Sequence, residues 1–228
     1  MLTSVLRALS EDCGFPVAVF NECGLCRFAN DQARSFLFTG RETPRLAGLF
    51  TNESGPAPTD PDTLRVLKLM SPDQPQLRVI RWVDGTLTLI SCQHLASTDN
   101  PHRSALLIAH PITSADEYTR LSSDPSVSRS VVNTMGVLGN LGIRQIEVLR
   151  LIGLGLGGPA IARQLNRSPK TIDFHREMIR ERLGENSIVM IGQIAARSGI
   201  IHVPHEELSR WWGTGSASEL AVRAEPAA

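Results

Sequence analysis

The sequence has no apolar stretch near the roughly 20 residues that a membrane-spanning helix needs, so no such helix is expected. The apolar stretch at residues 1–9 is interrupted by Arg7, and no small-residue cleavage site follows it. Both features argue against a signal peptide. Only four cysteines occur in 228 residues, and cysteines of cytosolic proteins are more often small buried residues than disulfide partners. We therefore expect a cytoplasmic protein that does not engage a membrane.

The chain also lacks a net charge, but its charged residues are unevenly distributed. Residues 138–201 contain nine Arg or Lys and five Asp or Glu, a net charge of +4, whereas residues 1–137 and 202–228 each carry a net charge of −2. Neutralising phosphates supplies most of the non-specific affinity for DNA. A basic segment between acidic neighbours is compatible with nucleic-acid binding, although ordinary scatter of charges would also produce it.

Two short amphipathic helices joined by a tight turn are predicted within residues 141–183. Ser168 followed by Pro169 marks the start of the second helix, because serine caps the first turn and proline needs no amide partner there. At 3.6 residues per turn, this helix has a narrow apolar stripe, formed by Ile172, His175, Ile179 and Leu183. Its opposite face carries Lys170, Asp173, Phe174, Glu177 and Arg180. An anchored helix with a free polar face is typical of a helix-turn-helix that reads the major groove.

The spacing of many residues in this region resembles the LuxR/GerE-type DNA-binding domain over about residues 138–201. The matching positions are Leu141, Glu147, Val148, Leu149, Leu151, Ile152, Gly155, Ile161, Ala162, Leu165, Ser168, Lys170, Thr171, Ile172, His175, Ile179 and Leu183. The resemblance implies an all-α domain of four helices that places a recognition helix, about residues 168–183, in the major groove of double-stranded DNA. The expected DNA-binding residues are Ser168, Lys170, Thr171, Asp173, Phe174, His175, Arg176, Glu177 and Arg180.

Residues 188–199 resemble the fourth helix of that domain, which in the family carries a dimer contact. The resemblance implies a homodimer and assigns this contact to Ile188, Ile191, Ile194 and Ala195. The same four residues could instead cap the core of their own domain.

Two features depart from the family pattern at the start of the first helix. Gly142 stands where a threonine usually caps that helix, and Gln145 stands where a glutamate is usual. We expect this helix start to be weaker by about 1 kcal/mol.

Two acidic residues also occupy groove-facing positions that are often basic or neutral in relatives. Asp173 and Glu177 are repelled by phosphates, but a carboxylate can accept a hydrogen bond from the N4 amino group of cytosine. Alternatively, both are solvated or paired with Arg176, Arg180 or Arg163.

A dinucleotide-binding fingerprint competes for part of the same segment. If residues 148–152 were a strand, Gly153, Gly155 and Gly158 would form G-x-G-x-x-G, and Asp173 would lie where a ribose-binding carboxylate belongs. That fold needs further strand–helix units, whereas a helical pattern and a short tail follow. A dinucleotide-binding protein is therefore the remote alternative.

The N-terminal region has the pattern of a small α+β domain. Asn30 suits a helix cap, and Asp84-Gly85 is a strong hairpin signal. Strands are predicted at residues 16–20, 25–29, 76–83, 86–93 and 104–110, and helices at 31–36 and 62–70. This order, and the residues P-V-A-V-F-N-E-C-G-L-C-R-F-A-N from Pro16, resemble a PAS domain. The resemblance implies a sensory or dimerising module with a five-stranded antiparallel sheet in the order 2-1-5-4-3.

The resemblance leaves the ligand of that domain unknown, since PAS domains enclose haem, flavin, small metabolites or nothing. Cys26 lies within a predicted strand, whereas the reactive cysteine of flavin-binding light sensors lies on a later helix. His94, His102 and His110 lie at strand ends or in a loop, as surface histidines do. A small-molecule ligand is thus a candidate, but the sequence requires no cofactor or metal.

All four cysteines, Cys13, Cys23, Cys26 and Cys92, lie in the N-terminal region. In the predicted sheet the strands with Cys26 and Cys92 are three places apart, about 14 Å at 4.8 Å per strand, which is too far for a shared metal or a disulfide. A Cys23–Cys26 redox pair stays open.

The remaining segments are a connector and a tail. Residues 113–137 are serine-rich, break at Asp124-Pro125, and then offer Val131, Val132, Met135 and Leu138 at helical spacing. In the tail, residues 205–212 are a candidate for a short amphipathic helix that ends in two tryptophans. We expect these tryptophans to cover an apolar patch. The small residues that follow are expected to be disordered.

These observations predict a PAS-like sensor at 1–112, a partly helical connector at 113–137, a LuxR-type domain at 138–201 and a tail at 202–228. The predicted function is sequence-specific transcriptional regulation at the nucleoid, with RNA polymerase as a further candidate partner.

A response regulator fits less well, because residues 1–137 contain one lysine, Lys68, and no aspartate ending a third apolar strand. An autoinducer receptor would have a longer ligand-binding domain with more aromatic residues. The one tyrosine of this sequence, Tyr118, lies in the connector. No nucleophile–base pair or metal cluster indicates an enzyme.

Overall fold

The structure is a computed structural model that describes residues 15–21, 25–30, 32–34, 76–95, 104–129, 133 and 135–212. The chain divides into two compact units. The first comprises residues 1–81, 88–111 and 122–131, and the second comprises residues 82–87, 112–121 and 132–228. The second unit therefore includes a hairpin tip and a helical segment in addition to the predicted DNA-binding domain.

In the described residues of the N-terminal region, six strands form a mixed sheet. Its strands are β1 (Val17–Asn21), β2 (Cys26–Ala29), β3 (Gln76–Val83), β4 (Thr86–Leu95), β5 (Ser104–Pro111) and β6 (Val127–Arg129), in the order β2-β1-β5-β4-β3-β6. The five predicted strands and their order are confirmed. The prediction of a five-stranded antiparallel sheet is corrected by β6, which pairs in parallel with β3.

The hairpin between β3 and β4 turns at Asp84-Gly85, as predicted. Both residues have positive φ angles, 45° and 78°, as a type I′ turn requires. The tip packs tightly against Gly136, where a Cβ would lie 2.9 Å from the carbonyl carbon of Asp84. Gly136 itself has a φ of 51°, so both its backbone and its lack of a side chain fit this contact.

Asn30 joins the end of β2 to the start of β1. Its Oδ1 accepts hydrogen bonds from the amides of Val17 (3.1 Å) and Ala33 (2.8 Å), and its Nδ2 donates to the carbonyl of Phe15 (2.7 Å). The bond to Ala33 is the helix cap predicted at Asn30, and residues 32–34 are helical. The rest of the predicted helix 31–36 and the predicted helix 62–70 lie outside the described residues.

Cys26 and Cys92 are buried free thiols in the sheet, on strands three places apart in the order. Burial raises the pKa of Cys26 to about 11 and that of Cys92 to about 12. The Cys26 thiol also donates to the carbonyl of Phe28 at 3.2 Å. Since a thiolate is the reactive form, neither group is activated at neutral pH; Cys13 and Cys23 lie outside the described residues.

The connector contains a helix, α1 (Ala115–Ser123), that the sequence pattern did not specify. The helix expected from the spacing of Val131 to Leu138 is not observed over the described part of that stretch. A short 3₁₀ helix at Gly136–Asn140 is found there instead, and it buries Leu138.

Four helices follow in the second unit: α2 (Ile143–Gly153), α3 (Gly158–Gln164), α4 (Pro169–Leu183) and α5 (Ile188–Ser198). After them come two 3₁₀ turns, Ile200–His202 and His205–Glu207, and the short helix α6 (Leu208–Trp212). The alternative dinucleotide fingerprint is wrong, because residues 148–152 lie inside α2 and form no strand.

Within the second unit, α6 is held by an aromatic cluster of Trp82, Trp211, Trp212 and Tyr118. The ring of Trp82 makes edge contacts with the rings of Trp211 and Trp212, with centroids 6.3 and 5.1 Å apart. Tyr118 donates a 2.7 Å hydrogen bond to Glu207 and accepts a 3.3 Å bond from the Trp211 indole. The expectation that the two C-terminal tryptophans cover an apolar patch is confirmed.

In the part of the chain that the structure describes, no helix is both long and apolar enough to cross a membrane. Across those same residues, no group of three or more His, Cys, Asp or Glu side chains is placed to hold a metal ion.

The aromatic cluster gives a stability prediction. Trp82 is completely buried, so Trp82→Ala should lower the free energy of unfolding by about 3–5 kcal/mol in a urea titration of the full chain. Phe174→Ala, at a site that is 61% exposed, is the control and should change it by less than about 0.5 kcal/mol. A decrease below about 1 kcal/mol for Trp82→Ala would show that the cluster is not part of the core.

Candidate nucleic-acid interface

Residues 141–183 contain three helices, α2, α3 and α4, where the sequence pattern predicted two. The helix-turn-helix is formed by α3 and α4, and a narrow apolar stripe anchors α4. Ile172 and Ile179 of α4 are completely buried, while His175 and Leu183 are partly buried. In α2, Ile146, Val148 and Leu149 are fully buried. The stripe predicted for residues 168–183 is therefore the face by which α4 packs into the domain.

The start and end of α4 are set by local chemistry. The Ser168 hydroxyl accepts a hydrogen bond from the amide of Thr171 at 3.1 Å and lies 2.8 Å from its hydroxyl oxygen. Pro169 occupies the first turn, and Gly184 ends the helix with a left-handed φ of 65°. The helix predicted at 168–183 is thus observed at Pro169–Leu183.

The predicted DNA-binding residues divide between an outward face and its flanks. Ser168, Lys170, Asp173, Phe174 and Glu177 are exposed. The residues that flank this face are partly buried; they are Thr171, His175, Arg176 and Arg180. Arg176 leans toward α3, since a Cβ on Gly158 would lie 3.2 Å from its guanidinium nitrogen.

Both acidic residues of the outward face lie beside arginines on the next helical turn. Glu177 and Arg180 form an ion pair of 2.9 Å, whereas Asp173 and Arg176 are 3.7 Å apart. These pairs agree with the interpretation that the carboxylates are neutralised by neighbours. Both carboxylates remain about 70% exposed, however, and exposed pairs contribute little energy, so they can be exchanged for another partner.

The C-terminal turn of α4 is tied to the start of α2 by Arg182. One guanidinium nitrogen donates to the Gln145 side-chain oxygen at 2.8 Å and to the carbonyl of Asn140 at 2.9 Å. The same Gln145 oxygen accepts from the amide of Gly142 at 2.8 Å. Gly142 supplies no side-chain cap, but Gln145 satisfies its amide and so replaces part of what the missing threonine and glutamate would contribute.

A surface groove of about 360 Å³ runs between the start of α2 and the outward face of α4. Phe174, Met178, Arg144 and Arg182 are among its lining residues. Arg144 donates two hydrogen bonds to the carboxylate of the buried Glu147, at 2.9 and 2.8 Å, which raises the pKa of its guanidinium. The sequence pattern did not single out Arg144, Met178 and Arg182, although helical spacing places Met178 and Arg182 one and two turns beyond Phe174.

The residues assigned to a dimer contact on α5 do not share one environment. Ile191 and Ala195 are buried in the domain, 1% and 0% exposed, as the alternative of capping the domain core expected. Ile188 is exposed and Ile194 is partly exposed. Val189 and Met190 next to Ile188 are also exposed, at 65% and 41%, so the apolar surface available on α5 lies at its N-terminal turn.

Comparison with known proteins identifies this region. Residues 140–195 match the GerE model, described as bacterial regulatory proteins of the luxR family. These residues therefore form a LuxR-type helix-turn-helix domain. No curated protein matches the chain.

Among solved structures, the chain is similar to a Vibrio cholerae VqmA–ligand–DNA complex, with 17% identity, coverage of 91% of this chain and 92% of that chain, and a TM-score of 0.40. It is also similar to a V. cholerae VqmA dimer in the absence of target DNA, with 17% identity, 93% and 95% coverage, and a TM-score of 0.38. Escherichia coli SdiA matches with 16% identity, 88% and 89% coverage, and a TM-score of 0.27.

The cap of α4 yields a prediction for the folding of this domain. Ser168→Ala removes the oxygen that accepts from the Thr171 amide and should lower the free energy of unfolding by about 1 kcal/mol. Ser168→Asn, which keeps a capping oxygen, is the matched control and should restore most of that stability. Equal stability of the alanine and asparagine variants in urea denaturation would show that the cap does not stabilise α4.

Proposed function

We propose that this chain, whose residues 140–195 form a LuxR-type domain of the bacterial regulatory proteins, is a sequence-specific transcriptional regulator that inserts α4 into the major groove. The observation that carries the proposal is the geometry of α4. Its buried isoleucines fix the helix from one side, and Lys170, Asp173, Phe174 and Glu177 are presented on the other.

The charges around α4 support this use of the helix. Lys170 lies in its first turn, and Arg176 and Arg180 lie along its flanks. The net charge of +4 over residues 138–201 gives the domain the sign that attracts phosphates. Ser168 and Thr171, at the N-terminus of α4, would approach the DNA backbone first.

A homodimer on a two-fold site is part of the proposal. A symmetric dimer uses the same patch of both subunits. The exposed Ile188, Val189 and Met190 at the start of α5 offer such a patch. Buried Ile191 and Ala195 would support it from within the domain, and Ile194, one turn beyond Met190, is partly exposed.

The N-terminal region is proposed to be a PAS-like sensor at about residues 1–112, joined to the LuxR-type domain at 138–201. The strand order β2-β1-β5-β4-β3 and the capping role of Asn30 support this assignment. The sensor would bind a small molecule and modulate the affinity of the second domain for DNA. RNA polymerase is the partner through which a bound regulator would act.

The experiment that tests this function uses the full chain. Duplexes enriched from a random pool by the protein are footprinted at saturating protein concentration. We expect protection of two half-sites related by a two-fold axis. Protection of one half-site would contradict the dimer, and failure to enrich any duplex would contradict DNA recognition.

Phosphate neutralisation by Lys170 and Arg180 leads to a salt-dependence prediction. Lys170→Ala and Arg180→Ala should each weaken binding to every duplex, whatever its sequence. Each should also reduce the slope of log affinity against log salt by about 0.9 for each phosphate that the side chain neutralises in the wild type. Arg120→Ala, which removes an exposed cation on α1, serves as the matched control, and unchanged slopes in both test variants would remove this surface from the proposal.

The exposed carboxylate of Glu177 generates a separate prediction about sequence preference. If it accepts a hydrogen bond from cytosine N4, Glu177→Ala should reduce discrimination at one or two C·G positions by about 1–3 kcal/mol and leave other positions unchanged. The measurement is a competition assay with every single base-pair variant of the selected site. A uniform gain in affinity for all variants would mean that Glu177 only repels phosphates and pairs with Arg180.

A further inference from the structure

Phe174 is a large apolar ring on a face of α4 that is otherwise polar. The residue is 61% exposed. Residues two positions apart on a helix project to nearly opposite sides, so the burial of Ile172 turns Phe174 outward. Of the exposed large hydrophobic residues that the structure describes, only Phe15 and Phe174 are aromatic. A ligand that covers this ring would remove further apolar surface from water, which is favourable.

The surroundings of the ring indicate what covers it. Lys170 and Glu177 lie one helical turn away on either side, and the Glu177–Arg180 pair continues the same surface. Arg144, in the first turn of α2, and Arg182, two turns beyond Phe174 on α4, line the same groove as the ring. Lys170, Arg176 and Arg180 lie within two helical turns of this apolar ring, an arrangement that matches an apolar group bordered by phosphates.

We propose that Phe174 reads sequence by contacting the 5-methyl group of a thymine in the major groove. Thymine is the base that presents a methyl group there, and apolar side chains recognise it by contact. The contact removes both the methyl group and part of the ring from water, which is favourable in proportion to the area buried. This inference rests on the proposed function and adds to it a preference for thymine at one position of each half-site.

The test removes the methyl group from the DNA and the ring from the protein. The selected duplex is prepared with deoxyuridine in place of each thymidine in turn, which deletes the methyl group and keeps the base pairing. For the wild-type chain, we expect substitution at one position per half-site to weaken binding about fourfold, the effect of one buried methyl group. Phe174→Ala should bind the thymidine duplex more weakly and should show no further decrease in affinity when that position carries deoxyuridine.

Two further variants serve as controls. Phe174→Leu keeps an apolar side chain and should retain part of the sensitivity to deoxyuridine. Phe15→Ala removes the other exposed aromatic residue, which lies in the N-terminal unit, and should respond to deoxyuridine like the wild type. Because Phe174 is exposed, its variants should unfold at the same denaturant concentration as the wild type.

Failure of the inference is distinguishable from failure of the proposed function. If the wild type binds its selected duplex and no deoxyuridine substitution changes the affinity, the thymine contact is wrong and DNA recognition stands. The contact is equally wrong if Phe174→Ala stays as sensitive as the wild type, or binds as tightly, because another residue then meets the methyl group or the groove serves a protein partner. If the wild type enriches no duplex at all, both proposals are overturned.

Discussion

The candidate interface depends on the burial of two isoleucines in one helix. Ile172 and Ile179 are two turns apart, and both are completely enclosed by the domain. Each buried side chain of this size contributes about 1.5–3 kcal/mol, which exceeds what the exposed ion pairs of the same helix provide. The apolar stripe therefore sets the rotation of α4, and the rotation decides which side chains face outward.

Contacts at the two ends of α4 further restrict the position of the helix in the domain. Ser168 fixes the first turn through the Thr171 amide, and Arg182 connects the last turn to Gln145 and Asn140. Because Gln145 also holds the Gly142 amide, the start of α2 and the end of α4 share one polar junction. The outward face is thus held at both ends, which lowers the conformational cost of presenting Phe174 and Glu177 to a ligand.

The sequence predicts those parts of the structure that depend on local chemistry. The Asp84-Gly85 turn, the Ser168-Pro169 helix start and the 3.6-residue spacing of Ile172 and Ile179 each act within a few residues, and each is observed. The features that the sequence did not predict depend on residues that are far away in the chain. The three-residue strand β6 exists because β3 offers an edge to it, and no periodicity can be recognised over so short a segment.

The same distinction holds for the interface. The outward residues of α4 could be named from helical geometry, but the pairing of Glu177 with Arg180 rather than another arginine depends on side-chain rotamers. On α5, the sequence could not separate buried Ile191 from exposed Val189, since both are apolar and their environments are set by α2 and the segments after α5. The glycines at 153, 155 and 158 have the spacing of a nucleotide-binding motif, but that motif requires a strand at residues 148–152, and these residues are helical.

The most direct test of the account is whether the outward face of α4 touches DNA. The photoreactive analogue p-benzoylphenylalanine would replace Phe174 in the full chain, and in a second preparation Phe15, before irradiation with the selected duplex. The account predicts a covalent protein–DNA adduct from position 174 that maps to the bases of each half-site, and none from position 15. Binding of the duplex without an adduct at 174, or with equal adducts from both positions, would contradict it.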